Sequence, residues 1–174
     1  METVLLLLIL QGILGAFDTL YYHEFRLRLP MELTARKELK LHAARDFLYA
    51  IIFGSLAWRS WNGLWAWVLV GLLTTEIVIT LWDFLVEDRS RKVPAGERST
   101  HAIMGLVYGA VLANLLPEIL SWSRLPNGFV QSDYGLMSWV LSVMAVGVCL
   151  SGLRDIVAVR RLEALAGTAE LAGI

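Results

Sequence analysis

Hydrophobic positions along this chain fall into five long runs, each closed or opened by a cluster of charged residues. The runs are Val4 to Tyr22, Leu41 to Trp58, Leu64 to Val86, Ala102 to Leu120 and Tyr134 to Leu153. A helix needs about 20 apolar residues to cross a hydrocarbon core of ~30 Å, and each run is of that order. Backbone amides at an open sheet edge find no partner in lipid, so the runs predict helices. The strict alternation of a membrane barrel strand is absent. Short connections between them favour antiparallel neighbours. The expected fold is an all-α integral membrane protein, an antiparallel bundle of about five transmembrane helices. Residues 1–161 form this single bundle domain, followed by a short tail, 162–174, that is rich in Ala and Glu.

Punctuation between the runs is clear. Pro30 is expected to end the first helix, and Thr34 to cap a second that starts before its membrane portion. Pro94-Ala-Gly separates the third run from the fourth, and Pro117 with Pro126-Asn-Gly is expected to turn the chain into the fifth. The first run has no basic residue before it and no small-residue cleavage pattern, so it reads as a retained helix rather than a signal peptide.

Charge sets the orientation. Arg26, Arg28, Arg36, Lys37, Lys40 and Arg45 follow the first run, and Arg89, Arg91, Lys92 and Arg98 follow the third. Arg154, Arg160 and Arg161 follow the fifth, whereas the opposite ends hold only Arg59 and Arg124. This asymmetry predicts an external N-terminus and a cytoplasmic C-terminus, in a prokaryotic-type cytoplasmic (inner) membrane. Trp58, Trp61, Trp65 and Trp122 suit the aromatic belt of the outer interface.

The composition agrees, with 57% hydrophobic residues over 174 positions and a mean hydropathy of +0.61. A net charge of −1, with basic residues explained by topology, predicts no nucleic-acid partner. The lone Cys149 excludes an intramolecular disulfide.

The polar positions inside the runs carry the candidate chemistry. Read at helical spacing, they form stripes: Gln11, Gly15, Asp18 and Tyr22; Glu38, His42, Asp46 and Tyr49; Glu76, Thr80, Asp83 and Glu87; Glu97, His101, Gly105 and Tyr108. A polar stripe on a membrane helix faces the bundle interior, because exposure to lipid costs too much. Alternating helix direction then brings Asp18, His23, Glu38, His42, Asp83, Glu87, Glu97 and His101 into one layer near the cytoplasmic boundary. All three histidines are in this set. Glu76 stands apart, about 16 Å from Glu87 along the axis and near mid-membrane.

Carboxylates and imidazoles converging between helices are what a pair of metal ions requires. Soluble di-iron bundles set a carboxylate on each of two helices and a Glu/His pair on each of the other two. The two Glu-x-x-x-His pairs here, with two acidic helices, are similar in type though not in spacing. Iron, manganese or zinc all suit such ligands. Iron would permit oxygen chemistry on a lipid, quinone or other apolar small-molecule substrate. The many clustered histidines of membrane desaturases are missing.

Plainer readings stand beside this one. Asp46 with Arg45, and Arg154 with Asp155, read as ion pairs. Glu87 and Asp88 adjoin Arg89, Arg91 and Lys92 and could be a solvated run, and Glu97 could lie in a loop. His23 is one residue from Tyr22, a rotation of about 100°, so α-helical geometry does not require it to share the face of Asp18. Two other functions use the same residues: haem held by His42 with His23 or His101, or a non-catalytic subunit of a membrane complex or homo-oligomer. The chain is small and lacks repeated halves, which argues against a transporter using Glu76.

Overall fold

In the computed structural model, which describes residues 1–171, the chain is a bundle of long helices with a small two-stranded sheet at one end. Helix α1 (Glu2–Phe17) runs without a break into a π-helical segment, Asp18–Arg26. Two 3-10 turns, Leu29–Met31 and Leu33–Ala35, lead into α2 (Arg36–Leu56). Strand β1 (Arg59–Asn62) is followed by α3 (Leu64–Ser90), α4 (Ala95–Trp122), β2 (Gly128–Gln131) and α5 (Leu136–Leu171).

Four helices are long and apolar enough to cross a membrane: α1 with its π-helical extension, α3, α4 and α5. Helix α2 carries the second of the expected runs, Leu41 to Trp58, and falls short on apolarity. The structure supplies the reason. Between positions 41 and 56 only Ile51 is exposed, so α2 faces protein almost all round. Its charged residues meet other helices rather than lipid, and it need not be as oily as its neighbours. The other helices carry the lipid-type surface, with Leu6, Leu106, Trp139 and Val143 among their exposed apolar side chains.

Several expectations at the helix ends are corrected. Thr34 does not cap α2: it lies in the second 3-10 turn, and α2 begins at Arg36 with no side-chain cap. Pro117 does not turn the chain but sits inside α4, which continues to Trp122. Glu97 is in the first turn of α4 and not in a loop. Helix α5 runs past Arg161 to Leu171, and Leu162 is buried, so part of the expected tail belongs to the bundle. Residues 172–174 of that tail lie outside the described residues.

The sheet end was not foreseen. Strands β1 and β2 pair antiparallel, Arg59 opposite Gln131 and Asn62 opposite Gly128. Asn127 Oδ1 accepts from Leu64 N at 2.8 Å. Gly63 sits beside it at φ +64, where a Cβ would come within 2.9 Å of the Asn127 backbone, so only glycine fits. Ser138 Oγ donates to Ala57 O at 2.6 Å, and Trp58 Nε1 donates to Ser142 Oγ at 2.7 Å, tying the end of α2 to α5.

The larger apolar cluster fills the half next to the sheet and includes Leu5, Leu8, Ile52, Leu56, Leu69, Leu115 and Leu141. A smaller one, Leu29, Leu39, Val159 and Leu162 among others, closes the basic end around α2 and α5. Where α2 and α5 cross, Gly152 packs against the backbone of Ala43 and the side chains of Asp46 and Phe47.

Candidate metal centre

Four segments deliver the polar layer. The π-helical turn is the first device. In an α-helix, residues five apart point about 140° away from each other, whereas π-helical pairing joins i to i+5. Asp18 and His23 are five apart, and His23 Nε2 lies 3.3 Å from Asp18 Oδ2. Ordinary α-helical spacing supplies the rest: Glu38 and His42 from α2, Asp83 and Glu87 from α3, Glu97 and His101 from α4. All of these are buried except His101, which is partly exposed.

Six side chains form two overlapping groups, His23 with Glu87, Glu97 and His101, and His23 with Glu38, His42 and Glu87. Within each group one ligand atom per residue lies within 4.8 Å of the others. Four atoms held at about 2.1 Å around one ion in a tetrahedral array lie about 3.4 Å apart, so either group would draw in by up to roughly 1.4 Å to close on a cation.

Asp18 and Asp83 belong to neither group and stand against the histidines. Asp18 Oδ2 is 3.1 Å from His101 Nε2, and Asp83 Oδ2 is 3.0 Å from His42 Nε2. On His101 the Asp18 carboxylate is at Nε2 and Glu87 is at Nδ1, 3.6 Å away, so Asp18 stands where a carboxylate orients a metal-binding imidazole. Arg45 Nη1 donates to Asp83 Oδ2 at 3.2 Å, so Arg45 pairs with Asp83 where the sequence pointed to Asp46. Arg154 does bind Asp155, at 2.6 Å, and also reaches Glu24 at 2.7 Å.

Two ring nitrogens are out of balance with their surroundings. His23 Nε2 and His42 Nε2 are buried near carboxylate oxygens, yet neither has a hydrogen-bond partner of acceptable direction. Asp18 Oδ1 and Asp83 Oδ1 are also unpartnered. Buried polar atoms left this way are costly, and a cation bound by nitrogen and oxygen would satisfy them.

Arg91 is the functional residue the sequence reading missed. It lies just past α3, and its Nη2 donates to Glu97 Oε1 at 2.7 Å and to Glu38 Oε1 at 2.8 Å. Glu87 Oε1 is 3.4 Å away. Burial works to lower the Arg91 pKa, but the pairs with Glu97 and Glu38 outweigh it and hold the guanidinium above its ordinary value. Its signal was present: Arg91 is four residues after Glu87 and extends the stripe of α3.

Ionised, the five carboxylates of the layer carry more negative charge than Arg45 and Arg91 offset. Protons on the histidines or bound cations must supply the remainder. Comparison with protein-family models, curated proteins and solved structures gave no match.

Proposed function

We propose that this chain is an integral membrane metalloprotein holding a di-iron-like His/carboxylate centre at the cytoplasmic side of a five-helix bundle. In this reading one ion sits between His23, Glu87, Glu97 and His101. The second sits with Glu38 and His42, and Glu87 bridges. The observation that carries it is the pair of overlapping ligand groups sharing Glu87, with the Nε2 atoms of His23 and His42 buried and unpartnered. Manganese or zinc fits the same ligand types, and iron is preferred because it gives the site oxygen chemistry to perform.

The reaction assigned is an oxidation–reduction of a lipid, quinone or other apolar molecule, with reductant reaching the centre from the basic, cytoplasmic face. The charge asymmetry along the chain supports that orientation, with the N-terminus outside, in a prokaryotic-type inner membrane. Haem fits less well. His23 and His42 stack with ring centroids 4.6 Å apart and 7° between planes, side by side rather than across a porphyrin.

Oxygen uptake tests the activity. Iron-loaded protein supplied with a membrane lipid extract and a reductant is expected to consume oxygen faster than the His42→Ala protein. Equal rates would remove the oxidoreductase assignment.

A further inference from the structure

A second polar feature lies outside the metal layer. A cavity of about 270 Å³ runs alongside the bundle from His101 and Arg45 to Glu76, in the middle of the membrane span. Its polar lining includes Gln11, Tyr49 and Tyr108, and its apolar walls include Leu81, Met104 and Leu112. Three atoms on this lining are buried without a hydrogen-bond partner: Gln11 Oε1, Glu76 Oε2 and the Tyr108 hydroxyl. Glu76 is 1% exposed, and its other oxygen accepts from Thr80 Oγ1 at 2.7 Å. Three unmet polar atoms on one wall of an apolar cavity are the marks of a ligand site.

The entrance is on the lipid side. Gly105 and Gly109 line the cavity on α4 and are exposed, and a Cβ added to either would meet nothing within 4 Å. Leu81 on α3 is exposed across from them. The opening therefore lies between α3 and α4, facing hydrocarbon at the depth of the spans.

We infer that this cavity binds an apolar molecule with a hydroxyl head, of the phenol or quinol class, entering sideways from the bilayer between α3 and α4. Two of the three unmet atoms are oxygens that accept, on Glu76 and Gln11, and the third, the Tyr108 hydroxyl, both donates and accepts. A hydroxyl head donates to one of these acceptors and accepts from the Tyr108 hydroxyl, whereas a ketone or ether head can only accept. Ile77, Leu81 and Leu112 offer the tail an apolar path to lipid. The inference goes beyond the metalloprotein reading: the head is held at Glu76, Gln11 and Tyr108, about two turns of α4 from His101. Binding itself does not require the metal.

The test uses the full chain in lipid nanodiscs, with empty discs as the blank. Radiolabelled 4-heptylphenol is measured by equilibrium dialysis beside its methyl ether, which has the same shape without the donor. The expected result is saturable binding of about one phenol per chain, with the ether at least about tenfold weaker. Gly109→Leu should abolish binding by filling the cavity, and Tyr108→Phe should weaken it several-fold. Both should keep the metal content of the unaltered protein. No binding above empty discs, equal binding of the ether, or full affinity in both variants would overturn the proposal. Phenol binding by a protein that holds no metal would sustain this site and remove the metal centre. A metal-loaded protein that ignores the phenol would do the reverse.

Discussion

His23 and His42 stack face to face, 4.6 Å between ring centroids and 7° from parallel, although one comes from the π-helical end of α1 and the other from α2. Two imidazolium rings at this distance would repel each other, whereas two neutral rings ligating adjacent cations would not. The two ligand groups make separable demands on them. His42 belongs to one group, His101 to the other, and Glu87 to both. Replacing His42 with Ala should therefore halve the bound metal, as should His101→Ala, while Glu87→Ala should remove nearly all of it. Glu118→Gln, at the sheet end beside the N-terminal amine, should change nothing. Elemental analysis of the four variants checks the pattern, and equal metal in all of them would contradict the ligand assignment.

Arg91 holds Glu38, Glu87 and Glu97 together. Without it, buried carboxylates face one another with no cation between them. Arg91→Gln should destabilise the metal-free protein by roughly 3–5 kcal/mol, as expected when one partner of a buried pair is removed. Added Mn²⁺ should restore much of the lost Tm, because a cation takes over the same carboxylates. Thermal unfolding with and without the metal measures both effects, and a variant as stable as the parent without metal would contradict this role.

The α2–α5 crossing depends on a small residue. A Cβ at Gly152 would stand 3.1 Å from Asp46 Cβ and 3.2 Å from Ala43 O. Gly152→Ile should push the helices apart and cost about 1–3 kcal/mol. Denaturant unfolding in detergent reads this directly, and an unchanged midpoint would show that the crossing tolerates the added volume.

Topology offers an independent check. If α4 crosses the membrane as its length and apolarity allow, Asn127 at the sheet end and Ser90 at the basic end lie on opposite sides. In a chain with Cys149 replaced by Ala, Asn127→Cys should react with an impermeant maleimide from outside intact cells. Ser90→Cys should react only after the cells are opened. Labelling of both from outside would contradict the orientation.

Much of the buried His/carboxylate layer was legible in the sequence because its determinants are local. Glu38 with His42, Asp83 with Glu87, and Glu97 with His101 are i,i+4 pairs that any α-helix places on one face. Helix direction alone then stacks them at one depth. His23 was less secure, because its alignment with Asp18 depends on a π-helical turn that hydrophobic periodicity does not encode. Arg91 was hidden by its neighbours: beside Arg89 and Lys92 it reads as part of a topogenic charge cluster, and only the fold separates it from them. The β1–β2 pairing was illegible for another reason. Four-residue strands show too little alternation to register, and the pairing joins segments nearly 70 positions apart. The apolarity of α2 misleads in the opposite direction, since a helix enclosed by protein carries charge that a lipid-facing one could not.

The most direct test is elemental mass spectrometry on detergent-purified protein prepared without chelator, with an absorption spectrum of the same sample. The account predicts about two iron or manganese atoms per chain, as in other di-metal carboxylate bundles, and no haem band. Protein that carries no transition metal, and takes up none when iron, manganese or zinc is supplied, would contradict the metal centre.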